Sequence, residues 1–267
     1  MLKDITIGQF FPGTSLIHRL DPRFKLIITL IFLIMLFVRD SPIGLVIGAV
    51  FTFLSIALSK IKPKLFFKSI KPILPFLIIT ALLNLFFITG GDVLFKWRFI
   101  TITTGGIKTS VFMIARIILL ISGSSLLTYT TSPIALTDAI ERLLSPLKKL
   151  KFPVHELAMM MTIALRFIPT LIEETDKIIS AQKARGAEIS TGSLAARARN
   201  IVSILVPLFI SSFRRAEELA TAMECRCYNG GEGRTRLRQL KSSMCDYIAL
   251  AVTLLFLAAV IIVNIIF

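Results

Sequence analysis

The sequence predicts an all-α integral membrane protein with about five transmembrane helices. Long amphipathic helices on the cytoplasmic side and a short strand or β-hairpin on the outer side complete it. Three observations predict this class. Of the 267 residues, 55% are hydrophobic and the mean hydropathy is +0.80. Soluble domains hold about 45–50% apolar residues, so one soluble core cannot hide the excess. The apolar residues also fall into runs of near-spanning length. Finally, 31 Lys and Arg stand against 16 Asp and Glu, a formal net charge of +15. The basic residues gather in alternate loops, as they do on the cytoplasmic side of a membrane.

The first apolar run covers 24–38 and is closed by Arg39-Asp40-Ser41-Pro42; the second covers 43–58. Each is somewhat short of the roughly 20 residues of a full span, and flanking residues extend it. Four polar residues between them allow only a tight turn, so the two runs form a helical hairpin. Gly44 and Gly48 have the spacing that lets helix backbones approach closely. Glycine is also common in membrane helices without that role, and the sequence leaves both readings open. In 60–71 lysines alternate with apolar residues, as expected at a membrane surface. The third run covers 73–88 and contains Pro75. Aromatic and β-branched residues over 93–103 then suggest the strand or hairpin, with Trp97 at the membrane interface. The fourth run, 105–130, is interrupted by Arg116. An arginine inside a span must face a partner or a cavity; a functional group and a hydrogen-bond anchor within the bundle are both open. The last run is 247–267.

Orientation follows from the basic residues. Loops 18–25, 60–71 and 132–245 are rich in Lys and Arg, whereas 39–42 and 90–105 hold only Arg39, Lys96 and Arg98. With five spans the two sets alternate without conflict. The expected protein is a multi-pass protein of the inner or plasma membrane. Residues 1–131 form the N-terminal spans, 132–245 a cytoplasmic domain and 246–267 a C-terminal transmembrane helix. The N-terminus is cytoplasmic and the C-terminus outside. Recruiting the apolar stretches 157–172 and 201–213 would raise the count to six or more; they are read instead as amphipathic helices at the membrane surface. No apolar core of a cleavable signal lies within 1–22.

Composition disfavours several activities. Cys225, Cys227 and Cys245 are an odd set in polar, basic surroundings, so no disulfide framework is expected. A metal site needs about four ligands, and only His18 and His155 exist to help. Both histidines sit beside charged residues and read as structural. Gly105-Gly106-Ile107-Lys108-Thr109 lacks the second glycine of a phosphate-binding loop. The spans hold almost none of the clustered His, Asp, Glu or Ser of an intramembrane enzyme. Basic residues are interleaved with acids and apolar stripes, unlike a nucleic-acid surface. A stand-alone secondary transporter or channel is the alternative from another class, although paired broken helices with polar midplane sites are missing.

The segment 132–245 differs from the rest. Ser132-Pro133 starts a helix whose residues Ile134, Thr137, Ile140, Leu143 and Leu144 share one side, and Ser145-Pro146 ends it. A second helix is expected from about 154 to 187. It is apolar at first, with consecutive Met159, Met160 and Met161, bends at Pro169, then turns polar with Glu173 and Lys177 four apart. A third is expected from about 195 to 228, apolar over 201–213 with Pro207 inside, then acidic. The same design therefore occurs twice: an apolar stretch with a proline, an acidic patch, and an arginine between small residues at the helix end. Arg185, between Ala184 and Gly186, and Arg226, between Cys225 and Cys227, occupy equivalent places. Small neighbours permit docking into a groove where a guanidinium finds carboxylates or carbonyls. Cations complementing helix C-termini are the plainer reading, and the pattern leaves both open. The apolar halves, with Met159, Met160, Met161, Leu165, Leu205 and Phe209, are too hydrophobic for free solvent. They form either a platform for a membrane partner or a surface buried against the chain's own spans.

Over nearly its whole length the chain resembles the transmembrane T component of energy-coupling factor (ECF) transporters, the EcfT/CbiQ-type family of prokaryotic vitamin and metal importers. The resemblance rests on 8–25 (Gly8 to Lys25), on Pro153-Val154-His155-Glu156-Leu157, on Ala164-Leu165-Arg166-Phe167-Ile168-Pro169 and on Gln182-Lys183-Ala184-Arg185-Gly186. The family's two arginine-centred coupling motifs match Ala184-Arg185-Gly186 and Cys225-Arg226-Cys227; the second departs from the usual Ala-Arg-Gly form but keeps small flanks. The resemblance implies a non-catalytic subunit. It implies two ABC-type ATPase partners that bind ATP and Mg and take the arginine tips into grooves. It further implies a membrane-embedded substrate-binding S component and no cofactor on this chain.

Overall fold

The computed structural model describes residues 10–38, 42–88, 90, 92–97, 100–150, 152–186, 194–230 and 242–266. They divide into two compact units: residues 10–139 with 242–266, and residues 140–230. In chain order the elements are α1 (Leu16–Arg19), α2 (Pro22–Phe37), α3 (Pro42–Ser59), α4 (Pro63–Ile70), α5 (Leu74–Phe87), β1 (Val93–Trp97), β2 (Ile100–Thr103), α6 (Thr104–Thr130), α7 (Pro133–Leu143), α8 (Val154–Ala184), α9 (Leu194–Cys225) and α10 (Met244–Ile266). Short 3-10 turns follow α4 (Lys71–Ile73) and α7 (Ser145–Leu150).

Among the described residues, five helical stretches are long and apolar enough to cross a membrane: α3, Pro63–Phe87, α6, α8 and α10. The number agrees with the sequence reading, but the membership differs. The 16 residues of α2 fall short by length. α8, read as a surface helix, qualifies by length and composition, although it is the least apolar of the five. Its second half holds Glu173, Glu174, Asp176, Lys177 and Lys183, all costly in lipid.

The first unit is closed at one end by buried polar groups. Asp21 caps α2, its Oδ1 accepting the Arg23 N–H at 2.9 Å, with Pro22 at the first helical position. Asp246 accepts the Asp21 N–H on Oδ1 at 2.7 Å. Its Oδ2 accepts the N–H of Ser243 at 2.6 Å and the Ser243 hydroxyl at 3.0 Å. Asp246 thereby caps the start of α10 from its first turn and also grips the chain 225 residues away. Lys25 donates its Nζ to the carbonyls of Thr130 at 2.9 Å and His18 at 3.2 Å. Asp21, Lys25 and Asp246 are each at most 5% exposed, and buried charges are tolerated only when bonded in this way. The start of α2, the end of α6 and the start of α10 are thereby tied together. His18 is structural too, its ring bonded to Ser15 Oγ and the Phe11 carbonyl.

Deeper in this unit Phe32, Met35, Leu36 and Val260 form the core. Phe51 lies between Phe32 and Phe256, 5.4 Å from each ring centroid. A Cβ on Gly48 would come within 2.7 Å of Leu36, so here the glycine does let α3 approach α2. Arg116 places its guanidinium 5.8 Å from the Phe37 ring centroid, a cation–π contact within the unit. Between α5 and α6, β1 pairs antiparallel with β2, Trp97 opposite Ile100. The Trp97 side chain, whose interfacial placement the sequence suggested, lies outside what is described.

α7 leads into the second unit. Its buried positions match the predicted side only in part: Thr137 is buried, but so are Ala139 and Glu141, while Ile134 is 56% and Leu143 36% exposed. Glu141 is held by His155, Oε1 to Nδ1 3.1 Å, so a paired carboxylate is buried off the predicted apolar side.

Candidate coupling surface

α8 and α9 are 31 and 32 residues long and run unbroken through Pro169 and Pro207. They pack on each other. Glu174 Oε2 meets Arg215 Nη2 at 2.9 Å, and Gln182 Nε2 donates to the Ser203 carbonyl at 3.3 Å. The paired numbers rise on one helix as they fall on the other, so the helices are antiparallel. Glu173 and Lys177, expected to pair along α8, form no ion pair with each other; the neighbouring Glu174 bridges between helices instead.

The bridge occupies a particular place. Glu174 precedes Arg185 by eleven residues, and Arg215 precedes Arg226 by eleven. At 1.5 Å per residue each arginine lies roughly 16 Å from the bridge along its own helix. Because the helices are antiparallel, the two ends point in opposite senses and stand about 30 Å apart.

The two ends share one backbone design. Arg185 caps α8, and Gly186 beyond it has φ +84°. The Gly186 N–H bonds to the Lys183 carbonyl at 3.0 Å. At the end of α9, Cys227 follows Arg226 with φ +57°. Its N–H bonds to the Glu224 carbonyl at 2.8 Å, and the Tyr228 N–H bonds to the Met223 carbonyl at 3.1 Å. This is the helix-ending turn with a left-handed residue one place past the cap. The position after each arginine must therefore accept positive φ, which glycine does freely and cysteine does at a cost. Ala184, Arg185, Gly186, Cys225, Arg226 and Cys227 are all exposed. Neither guanidinium has a hydrogen-bond or ion-pair partner among the described residues.

The apolar half of α9 is uncovered. Ile201, Leu205, Phe209 and Phe213 recur every four residues with Val202, Val206 and Ile210 beside them, and all seven are exposed. On α8, Met160 is 58% exposed while Met159, Met161 and Leu165 are half-buried. Of the three consecutive methionines, therefore, one faces outward.

The CbiQ family, described as cobalt transport protein, matches residues 13–237. The chain belongs to this family. Relatives named energy-coupling factor transporter transmembrane protein EcfT are similar over nearly the whole length. The Clostridium kluyveri protein is 57% identical over 251 residues, covering 93% of each chain. That of Ruminiclostridium cellulolyticum is 51% identical over all of both chains. That of Bacillus subtilis is 46% identical over 265 residues, 97% of this chain and 100% of its own. The match to the CbiQ family takes in both arginine ends and the buried ties of Asp21 and Lys25.

The sequence singled out Arg185 and Arg226, which lie at the two helix ends, but not the Glu174–Arg215 bridge or the left-handed Cys227. The equal offsets of 174 and 215 from the two arginines were the available clue to the bridge. Glycine in the first motif was the clue to the turn. Cys227→Gly should match or exceed the parent in thermal stability in detergent. Cys227→Val should fall below it by about 1–2 kcal/mol, because a β-branched residue fits left-handed backbone poorly. Equal stability of the Gly and Val variants would contradict the assigned turn.

Proposed function

We propose that the chain is the energy-coupling transmembrane component of an ATP-driven ECF-type importer for vitamins or other micronutrients. In this reading two ABC-type ATPase subunits bind ATP and Mg and perform the hydrolysis, and the present chain is non-catalytic and binds no cofactor. A membrane-embedded S component captures the substrate. The N-terminus and residues 132–245 face the cytosol, and the apolar stretches of α8 and α9 carry the S component.

The observation that carries this reading is the pair of matching arginine ends pointing in opposite senses. A single chain that engages two similar ATPases needs two similar docking points, well separated. Equivalent backbone turns, small neighbours and guanidinium groups without a partner among the described residues support this role. Each arginine would enter a groove and pair with carboxylates or carbonyls, the fork geometry favouring arginine over lysine. Movement of either ATPase would then pull on one end of a helix pair pinned at Glu174–Arg215. The lever acts on the apolar platform.

In the assembled complex, Arg185→Ala combined with Arg226→Ala should abolish ATP-driven uptake and weaken ATPase retention during purification without unfolding the membrane unit. Each single change should be milder, and Arg→Lys should rescue only in part. If the pairs are desolvated, loss of one partner costs on the order of 2–5 kcal/mol. A double variant that binds its ATPases and transports normally would refute the assignment. Substrate transport by the purified chain alone in liposomes would favour a stand-alone transporter instead.

For the platform, Met160→Glu or Leu205→Glu should release the S component while the ATPases stay bound, read by co-purification. Loss of both partners together would show that these residues support the fold rather than the contact.

A further inference from the structure

Between Asp40 and Asp92 the chain has no acidic residue, yet it holds Lys60, Lys62, Lys64, Lys68 and Lys71. α4 arranges them. Lys64, Lys68 and Lys71 follow at spacings of four and three, which places them on one helical face, and all are exposed. The opposite face is fixed in place. Phe66 is 6% exposed and meets Tyr129 edge-on at 5.6 Å. Tyr129 also bonds through its hydroxyl to Ser69 Oγ and to the Leu65 carbonyl. The lysine face is therefore held outward in one orientation. None of the five ammonium groups has a hydrogen-bond or ion-pair partner among the described residues.

Two features point to what covers this face. Phe67, on the same side as the lysines, is 72% exposed. A phenyl ring among ammonium groups suits the boundary between headgroups and acyl chains, where apolar and cationic side chains are accommodated together. The helix also continues through Lys71–Ile73 into α5, where Leu74, Phe76, Ile78 and Ile79 are exposed. With Pro63–Phe87 crossing the bilayer, a reading on which the inference rests, the lysines stand at headgroup level.

We infer that the Lys64–Lys68–Lys71 face of α4, with Phe67 beside it, is a binding surface for anionic phospholipid headgroups of the adjoining leaflet. An ammonium group is a phosphate-binding point charge. A basic cluster next to a span gains about fivefold in lipid association per lysine. The surface would hold the α4–α5 bend at a set depth, and through Tyr129 it would hold the end of α6.

The test uses the full chain in neutral detergent at low ionic strength, where surface charges are little screened. Its association with pyrene-labelled phosphatidylglycerol is compared with that of labelled phosphatidylcholine. The parent should prefer phosphatidylglycerol. Lys64→Gln/Lys68→Gln/Lys71→Gln should lose that preference by tenfold or more, the corresponding triple Arg variant should keep it, and 0.5 M salt should reduce the parent to the Gln level. Lys68→Gln alone, which leaves the fold least disturbed, should lose about fivefold. Unchanged preference in both Gln variants would overturn the inference. So would a triple variant that keeps its lipid preference but no longer retains its protein partners, since the face would then belong to an acidic protein. Lipid association is read on this chain by itself, so failure of the ATPase-coupling reading would leave the result untouched.

Discussion

A bilayer interior offers no hydrogen-bond partners, and much of this structure answers to that constraint. Within the first unit most buried polar groups are satisfied by the chain itself, with Asn84 Nδ2 and Thr131 Oγ1 as exceptions among the described residues. Asp246 does this at one end by accepting from Ser243 and from the backbone of Asp21. Lys25 does it by donating to two carbonyls. Serine and threonine hydroxyls along the helices return to carbonyls one turn back, as at Thr52, Ser122 and Thr253. The apolar surface is left to face lipid, and Gly48 brings α2 and α3 close enough to pack. Most of the remaining charge is concentrated in 132–245, outside the clean apolar runs.

Within that charged segment the physics changes from satisfaction to presentation. α8 and α9 repeat one plan, are bridged where Glu174 meets Arg215, and end in the same left-handed turn. Because an antiparallel pair sends its two C-termini in opposite senses, duplication alone places two like arginines far apart. A parallel pair would have put them side by side. The bridge is partly exposed, 34% for Arg215 and 24% for Glu174. Such a pair contributes little to stability, about 1 kcal/mol at most, but it fixes the register between the helices. In the proposed function that register sets the span between the two ATPases.

Much of this was legible in the sequence because it rests on local rules. Apolar run length located α3, α6 and α10 to within a few residues, but it placed the start of the Pro63–Phe87 stretch ten residues late and passed over α8. Ser132 and Pro133 marked a helix start, and Arg185 and Arg226 stood out by their small neighbours. What could not be read depends on which helices meet. The pairing of Glu141 with His155 buried a carboxylate that lies off the apolar side of α7. Glu174 pairs 41 residues away on another helix, whereas Glu173 and Lys177, expected to pair along α8, do not pair with each other. Asp21 and Pro22 start α2 two residues before the apolar run, and the helix still reaches only 16 residues. Cys227 was taken for a small neighbour of Arg226, and its positive φ became visible only in the backbone.

The central claim is that the two arginine ends are the points where ATPases attach. It is tested most directly by placing a photo-crosslinking amino acid at Ala184 in one preparation and at Cys225 in another, then illuminating the purified complex. The account predicts that both positions crosslink to ATPase subunits, each to a separate copy. Crosslinks that go only to the S component or to lipid, while both ATPases remain bound, would contradict it.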